Sequence, residues 1–376
     1  MNNSVFAIAT NITSNLGFNT AAHWQALLQE KTSIKEYEDP TLLKTSFWAS
    51  KIDAAKWQII HSRTQSNTLL SPFEQLALYS AQDALASLDE PLDLKETLLI
   101  LSSTKGNIEW LGEKDKNRIS LSTSAQLLAT ALNIPNAPLV ISQACISGVV
   151  ATLSAMRLLQ TGTYKHAVIV GADRFTSFVL NGFQSFQAIA KAPCRPFDAN
   201  RTGINLGEAA ATIILSTSSH PPLASIVAGS ISNDANHISG PSRTGEELAM
   251  AITRALKEAQ IPASAIDIIS AHGTATPYND EMESKAFGIA NVTHAPLHSF
   301  KSFVGHTLGA AGIVESAMLI EALQQQYLIP SLNYETSGVP ITLNVTTKAQ
   351  PASIQYALKT ASGFGGCNAA AIWKKC

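Results

Sequence analysis

Short apolar runs alternate with longer amphipathic stretches along this chain, and turn-forming residues bound the runs. That alternation is typical of an α/β protein with buried strands. The clearest predicted strands cover 97–101, 167–171 and 266–270. The clearest predicted helices cover 72–88, 148–160, 245–260 and 309–326. A chain of 376 residues with 45% hydrophobic content is long enough for two domains or one fused double domain.

Two helical segments, one in each half of the chain, share a local pattern. Residues 145–148 lead into a small-residue helix with a Ser-Ala-Met triplet at 154–156, and residues 306–309 lead into another with the same triplet at 316–318. The spacings differ by about one residue, so chance and a true internal repeat are both open explanations. A true repeat predicts a pseudo-twofold core in which both helix starts approach one central site.

The charge balance and the cysteine content exclude several classes of function. A net charge of -2 and the lack of a long Lys/Arg run give no electrostatic argument for nucleic acid or for a membrane surface. No apolar run approaches a membrane span, and the start of the chain lacks the basic flank of a signal peptide. Four scattered cysteines fit neither a disulfide framework nor a paired-cysteine zinc site. We therefore expect a reduced, cytoplasmic protein with two halves, 1–218 and 219–376, joined near Pro221 and Pro222.

Cys145 is the most informative candidate for a reactive residue. The apolar run 137–141 ends just before it and the predicted helix 148–160 begins just after it, so the thiol lies at a strand-to-helix turn. The free amides and the dipole at a helix start favour the thiolate, which is the nucleophilic form of cysteine. The alternative is a buried structural cysteine that packs as a small hydrophobe. On this residue alone both interpretations are open.

Two histidines, His272 and His306, each lie beside glycine in a predicted loop. Neutral imidazoles can donate Nε2–H to a thioester oxygen as the thioester's carboxylate leaves as carbon dioxide, while a cysteine holds the acyl group. Zinc ligation and a Cys-His protease dyad are the alternatives for these residues with Cys145. No ligand pair has the short spacing of most zinc sites, and a dyad leaves one histidine unexplained. We interpret the other histidines, including His23, His166, His220 and His237, as surface or core residues without a chemical role.

Lys301 and Glu315 are predicted to form a pair that supports this site. Glu315 lies in an apolar small-residue helix, where a carboxylate needs a cationic or hydrogen-bonding partner, and Lys301 precedes His306 by five residues. A buried lysine near a thiolate lowers the pKa of the thiol. The alternative for Lys301 is a solvated surface lysine. Asp280 and Glu283, at a predicted helix start, are interpreted as capping residues.

Two further segments are candidates for substrate contact. Thr274 and Thr276 alternate along the chain beside His272, so their hydroxyls point to one side and suit a polar arm that reaches toward the thiol. Stabilisation of a turn is the alternative. The tail 363–366 is rich in glycine, which lets backbone amides approach a substrate closely. Its alternative is an ordinary tight turn before the last strand.

These motifs resemble those of the beta-ketoacyl-acyl-carrier-protein synthases, the elongating condensing enzymes of fatty acid and polyketide assembly. The resemblance runs nearly end to end. The matching segments are 144–148, 195–198, 271–274, 301–306 and 363–366. The resemblance implies the thiolase-like fold, an α/β architecture of duplicated αβαβα halves in five layers with pseudo-twofold symmetry.

The resemblance also implies the reaction and the residues that perform it. It implies decarboxylative Claisen condensation of a Cys145-bound acyl chain with malonyl-acyl-carrier protein, which gives 3-oxoacyl-carrier protein and carbon dioxide. His272 and His306 would promote decarboxylation and stabilise the enolate, while Lys301 would support the site. No metal and no cofactor are expected, because the phosphopantetheine of the carrier protein holds the substrates.

The same resemblance assigns the remaining contacts and the partners. The amides of Cys145 and Phe364 would form the oxyanion hole, and Thr274 and Thr276 would meet the phosphopantetheine arm. The implied partners are an acyl carrier protein and either a second copy of the chain or a second synthase-like subunit. A non-condensing subunit of the chain-length-factor type is an alternative function, although such subunits usually lack the nucleophilic cysteine. A thiolase-type enzyme acting on coenzyme A esters is another.

One departure from the family pattern concerns the acyl pocket. Elongating synthases of primary metabolism usually carry an aromatic residue two positions before the phenylalanine of the tail, where this chain has Ser362. A smaller residue predicts a wider or more polar pocket. By analogy, this fits a specialised pathway such as aryl polyene or polyketide synthesis rather than ordinary fatty acid synthesis.

Overall fold

The computed structural model describes residues 4–65, 69–112, 116–218 and 220–376. The strands formed by these residues are β1 (Val5–Ser14), β2 (Lys35–Tyr37), β3 (Phe47–Ser50), β4 (Thr97–Ser102), β5 (Leu139–Ile141), β6 (His166–Asp173), β7 (Leu206–Gly207), β8 (Ala209–Ser216), β9 (Ala224–Asn233), β10 (Ile268–Ser270), β11 (Leu297–His298), β12 (Tyr327–Leu328), β13 (Gln350–Pro351), β14 (Tyr356–Gly363) and β15 (Cys367–Lys375). The α-helices are α1 (Thr20–Leu28), α2 (Ala54–Arg63), α3 (Pro72–Ala86), α4 (Leu121–Ala131), α5 (Ser147–Gln160), α6 (Ser177–Ser185), α7 (Glu246–Ala259), α8 (Pro277–Ile289), α9 (Lys301–Val304) and α10 (Ala311–Gln325).

Ten of these strands form one sheet in which the two halves of the chain repeat the same strand order. The sheet runs β11-β10-β14-β15-β9-β1-β8-β6-β4-β5. From the centre outward, the first half contributes β1, β8, β6, β4 and β5, and the second half contributes β9, β15, β14, β10 and β11. If the five strands of each half are numbered along the chain, both halves have the order first, fifth, fourth, second, third. The halves join where Val5, Phe6 and Ala7 of β1 pair with β9. This symmetry confirms the predicted duplication.

The helices lie in three layers around the two half-sheets. Helices α5 and α10 contact strands of both halves and each other, so they form the central layer. Helices α3 and α4 pack on strands of the first half, and α7 packs on strands of the second half and against α8. The result is the predicted αβαβα arrangement of five layers. No helix among the described residues has both the length and the apolar character that a membrane-spanning segment requires.

The central helices cross where two glycines remove the side chains between them. A Cβ on Gly148 of α5 would lie 2.8 Å from the backbone nitrogen of Ile313, and a Cβ on Gly312 of α10 would lie 2.5 Å from that of Val149. Real Cβ atoms do not approach backbone so closely, so only glycine permits this crossing. The contact brings the starts of α5 and α10 together at the centre of the molecule.

Most predicted element boundaries lie within two residues of the observed ones. A helix cap explains why the start of α3 was predicted to the residue. Helix α3 begins where Ser71 accepts a hydrogen bond from Glu74 N and the Glu74 carboxylate accepts one from Ser71 N, a capping box with Pro72 at the first helical position. The strand predicted from 266 begins at Ile268 instead. Ile266 N donates to Ala263 O in a short turn, so it cannot join the sheet ladder.

Candidate active site

Cys145 lies at a tight turn between β5 and α5. Ala144 adopts a positive φ of 44°, which is uncommon for a residue with a side chain. The Ser147 hydroxyl holds this turn, since it accepts a hydrogen bond from Gln143 N (2.7 Å) and donates one to Ala144 O (2.6 Å). The thiol is therefore presented, largely buried, at the first turn of the central helix.

His272 follows β10, and a carboxylate holds its backbone. Glu283 of α8 accepts hydrogen bonds from the backbone N–H groups of His272 (2.8 Å) and Gly273 (2.6 Å). Asp280, one turn earlier on α8, accepts from Phe197 N (2.7 Å). The interpretation of Asp280 and Glu283 as helix caps is therefore wrong, because both carboxylates bind backbone N–H groups outside their own helix.

His306 lies in the turn between α9 and α10, and residues of the other half hold that turn. His306 N donates to Asn205 O (2.7 Å), and the His306 carbonyl accepts from Gly207 N (2.9 Å). Three residues later, Gly309 N donates to the buried carboxylate of Asp173 (2.7 Å). The second histidine thus belongs to one half of the fold but is positioned by the other.

The structure brings these three residues together. Cys145 Sγ and one ring nitrogen from each of His272 and His306 all lie within 4.8 Å of one another. The two imidazole rings meet edge to face, with centroids 5.3 Å apart at an angle of 86°. All three side chains are buried, so one small substrate group can contact a thiol and two imidazoles at the same time.

Hydrogen bonds determine which nitrogen of each imidazole carries the proton. Lys301 Nζ donates to His272 Nδ1 (3.2 Å), and Leu308 N donates to His306 Nδ1 (3.3 Å). Because both donors lack an acceptor lone pair, each Nδ1 accepts and each Nε2 keeps its hydrogen. His306 Nε2 has no hydrogen-bond partner among the described residues. Both rings therefore offer an N–H donor rather than a lone pair to a metal ion at this site.

Burial decides the protonation of the three residues. It lowers the pKa of His272 and of His306 well below the ordinary value, and the nearby Lys301 cation lowers both further, so the imidazoles are neutral. It also raises the pKa of Cys145 to about 12, although Lys301 opposes that shift. The expectation that the helix start favours the thiolate is therefore wrong for the resting thiol, which is protonated.

A buried charge network, formed by Lys301, Lys359, Glu315 and Glu283, lies behind the imidazoles. Lys301 Nζ contacts Glu315 Oε1 (2.5 Å) and donates to His272 O (2.6 Å), so Lys301 is not a surface residue. Lys359 of β14 contacts the other oxygen of Glu315 (2.7 Å). Lys359 was not predicted as a site residue, although a lysine in the largely apolar segment 357–361 is itself a signal of a buried ion pair.

A cavity of about 450 Å³ leads to this cluster. Thr274 and Thr276 line it with their hydroxyl oxygens 2.8 Å apart, so both point to the same side. His237, an exposed residue, also lines the cavity. Ser362 and Phe364 lie on the wall nearest the thiol's turn.

The glycine-rich tail lies directly against the turn that carries the thiol. A Cβ on Gly363 would lie 3.0 Å from Cys145 N, so a side chain there would require the turn to move by a few tenths of an ångström. The next residue, Phe364, stacks its ring on Phe183 at 5.6 Å and meets Phe186 edge-on at 5.3 Å. Since Phe364 directly follows Gly363, its backbone lies close to the turn that carries Cys145.

A duplicated five-layer fold with a cysteine and two histidines at its centre defines the condensing enzymes of the thiolase-like superfamily. The model described as "Beta-ketoacyl synthase, N-terminal domain" matches residues 3–220, and the model described as "Beta-ketoacyl synthase, C-terminal domain" matches residues 223–335. The chain therefore belongs to the beta-ketoacyl synthase family. It is a beta-ketoacyl-acyl-carrier-protein synthase, an enzyme that performs decarboxylative condensation.

Known proteins agree with this assignment. A mitochondrial protein of Schizosaccharomyces pombe, named as a 3-oxoacyl-[acyl-carrier-protein] synthase, is 28% identical over 96% of both chains. The 3-oxoacyl-[acyl-carrier-protein] synthase 2 of Mycobacterium bovis is 32% identical over 60% of this chain and 58% of its own. A beta-ketoacyl synthase structure from Burkholderia phymatum has a TM-score of 0.87 and 24% identity, with both chains fully covered. This last likeness shows the shared fold.

Proposed function

We propose that Cys145 is the nucleophile of this condensing enzyme and carries the acyl chain between two half-reactions. In the first, Cys145 Sγ attacks the carbonyl carbon of an acyl thioester, and the carrier thiol leaves with the proton that the cysteine thiol loses. The thiolate is the nucleophilic form of cysteine, so the Cys145 proton must leave as the sulfur attacks, and the departing carrier thiolate takes it up. The amides of Cys145 and Phe364 receive the oxyanion that forms on the carbonyl oxygen.

In the second half-reaction, His272 and His306 act on a malonyl thioester. Their two Nε2–H groups donate to the thioester oxygen, which gains charge as the carboxylate leaves as carbon dioxide. The enolate carbon then attacks the acyl carbonyl on Cys145, the Cys145 thiolate leaves, and water returns its proton. The observation that supports these roles is the convergence of Cys145 Sγ and both imidazoles within 4.8 Å.

An acyl carrier protein is the proposed partner that delivers both thioesters. Thr274 and Thr276 line the entrance on one side and are placed to hydrogen-bond the phosphopantetheine arm. A similar structure supports the carrier as partner, since a type II ketosynthase complex with a TM-score of 0.89 contains the acyl-carrier protein of that ketosynthase. No cofactor or metal is proposed. A reducing compartment such as the cytoplasm would preserve the free thiol of Cys145.

A second synthase subunit is proposed at the outer edge of β5. At the other end of the sheet, Leu297 of β11 exchanges hydrogen bonds with Asn344 O and Thr346 N, so that edge is covered. Within the described ranges, no strand pairs with the outer edge of β5, whose residues are all half-buried and apolar. Such an edge is a template for another chain. A ketosynthase of Xenorhabdus doucetiae, with a TM-score of 0.84, is a complex with its chain length factor.

Light scattering tests this assembly. The chain is measured alone and after mixing with a second synthase-like subunit encoded by a neighbouring gene. We expect a dimer in one of the two samples, with slow amide hydrogen exchange at 139–141 in the dimer only. A monomer in both samples, or rapid exchange at 139–141 in the dimer, would show that β5 is not the interface.

We further propose that the acyl group is a planar, conjugated chain of a polyene or polyketide pathway. Phe183, Phe186 and Phe364 place three aromatic rings around the cavity, and Phe186 is half exposed to it. Flat aromatic walls favour a flat partner by about 0.5–1.5 kcal/mol per contact. With competing carriers, we expect 2,4-hexadienoyl to load Cys145 faster than hexanoyl, and Phe186→Leu to reduce that preference. Equal loading by the wild type would favour ordinary fatty acid synthesis.

The condensing role itself is tested by mass spectrometry of the enzyme incubated with acyl-carrier and then with labelled malonyl-carrier. We expect an acyl adduct on the peptide that contains Cys145, followed by its loss with formation of 3-oxoacyl-carrier and carbon dioxide in equal amounts. A chain that never acylates but increases the activity of a partner synthase would instead be a non-condensing subunit. Condensation of coenzyme A esters without loss of carbon dioxide would indicate a thiolase-type enzyme.

A further inference from the structure

Lys359 is a second fully buried lysine beside the active site, and the proposed mechanism gives it no step. We propose that Lys359 is a positioning residue for decarboxylation, which holds Glu315 and the end of β10 so that His272 keeps its N–H donor aimed at the malonyl thioester. This inference rests on the proposed roles of the two histidines. It assigns Lys359 no contact with substrate.

The contacts of Lys359 join the two elements that place His272. Its Nζ donates to Ser270 O (3.0 Å) at the end of β10, two residues before His272, and to Thr360 O (2.5 Å). It also pairs with Glu315 Oε2 (2.7 Å) on the central helix α10. Lys359 therefore ties the end of β10, the strand that leads into His272, to the helix that carries Glu315.

Glu315 is shared between two lysines, one on each oxygen. Lys301 contacts Oε1 (2.5 Å) and Lys359 contacts Oε2 (2.7 Å). A lysine ammonium has three N–H donors. Lys301 uses them on Glu315, on His272 O (2.6 Å) and on His272 Nδ1 (3.2 Å).

Because Lys359 pairs with the second oxygen of Glu315, Lys301 can keep its third N–H donor on the imidazole of His272. Without Lys359, both carboxylate oxygens of Glu315 would have Lys301 as their only cation, and Lys301 would be drawn toward the second oxygen. The longest of its bonds, the one to His272 Nδ1, is the one that such a movement breaks. His272 would then lose the partner that fixes its tautomer.

A second buried cation is costly, which argues that it serves more than packing. Removing an ammonium from water is expensive even when it is paired, and an apolar residue of similar volume often serves stability as well or better. Lys359 is completely buried, and burial lowers its pKa. The presence of this lysine on β14, against the end of β10, is therefore better explained by the geometry of His272 than by stability.

The half-reactions provide the test, because only decarboxylation uses the imidazole donors. For Lys359→Met we expect malonyl-carrier decarboxylation to fall by about tenfold or more, less than the loss of a donor itself. The rate of Cys145 acylation by acyl-carrier should stay near that of the wild type. Leu358→Ala, the adjacent buried residue of β14 in a separate hydrophobic cluster, is the control. It should lower thermal stability without changing the ratio of the two rates.

A double-mutant cycle with Glu315→Gln tests the proposed route. Since Lys359 acts partly through Glu315, Lys359→Met should cost less decarboxylation in the Glu315→Gln background than in the wild type. If Lys359→Met does not fold, Lys359→Gln, which keeps an amide donor without the charge, should show the same selective loss. Equal losses in both half-reactions, or strictly additive losses, would overturn the inference. Wild-type enzyme without decarboxylation would instead overturn the proposed roles of the histidines.

Discussion

The two halves of this enzyme have the same strand order but contribute different chemistry to the centre. The first half supplies one thiol at the start of α5, whereas the second supplies His272, His306 and the whole buried charge network. The molecule thus has two equivalent frameworks around one cavity, and in the proposed mechanism one holds the acyl group while the other activates the malonyl group. The comparison implies that mutations can separate the two half-reactions according to the half in which they fall.

Cys145→Ala should give the largest effect and the clearest separation. Condensation and acyl transfer should fall by at least about 10³-fold, because no other thiol of the described residues belongs to the cluster with the two imidazoles. Decarboxylation of malonyl-carrier should continue, since the second half supplies its donors. Radiolabelled carbon dioxide release and an intact-mass assay measure the two activities. Loss of decarboxylation in a folded Cys145→Ala enzyme would break the division of labour between the halves.

His306→Ala should give the converse result. Removing one preorganised donor to a developing oxyanion typically costs about 10²–10³-fold in rate, so decarboxylation should fall by that amount. Acylation of Cys145 should be much less affected. His237→Ala is a matched control, because His237 lines the same cavity but is not in the cluster of three. A loss after His237→Ala equal to that after His306→Ala would place the donors elsewhere.

The division between halves also explains what the sequence could predict. Strands such as β4 and helices such as α5 follow from the spacing of apolar residues, which is a local property. His272 and His306 are recognisable because each lies beside glycine in a predicted loop, and Cys145 is recognisable because it lies between a predicted strand and a predicted helix. These signals depend only on neighbouring residues in the sequence, so they can be found without a structure.

Lys359 and His237 could not be assigned in this way, since their surroundings come from distant segments. Lys359 meets Glu315 only because β14 lies beside β10 and under α10. The protonation of Cys145 was mispredicted for a related reason. The helix start is visible in the sequence, whereas the degree of burial that raises the pKa to about 12 depends on the whole cavity.

Gly148→Ala tests the packing that joins the halves. The added methyl would meet the backbone of Ile313 and Gly312, which cannot rotate away, so we expect a loss of about 1–3 kcal/mol in unfolding free energy. Urea unfolding at matched protein concentration measures it. Gly182→Ala in α6 is the control: nothing lies within 4 Å of its added Cβ, so it should be neutral or stabilising. Equal stability of the two variants would mean that the central helices do not need this close crossing.

The smallest expected effect concerns the electrostatic influence of one half on the thiol of the other. Lys301 is the main cation that lowers the pKa of Cys145 against burial, and the exposed Lys105 of the first half has a smaller influence. Lys301→Met should therefore raise that pKa further and reduce the thiolate fraction at pH 9. A rise of one pKa unit would slow iodoacetamide alkylation of Cys145 by about tenfold.

Lys105→Met is the control and should slow alkylation less. Added salt should remove the difference between Lys105→Met and the wild type, because the charge of Lys105 is exposed. Faster alkylation in Lys301→Met would show that this lysine does not act on the thiol as a cation, and would restrict its role to His272.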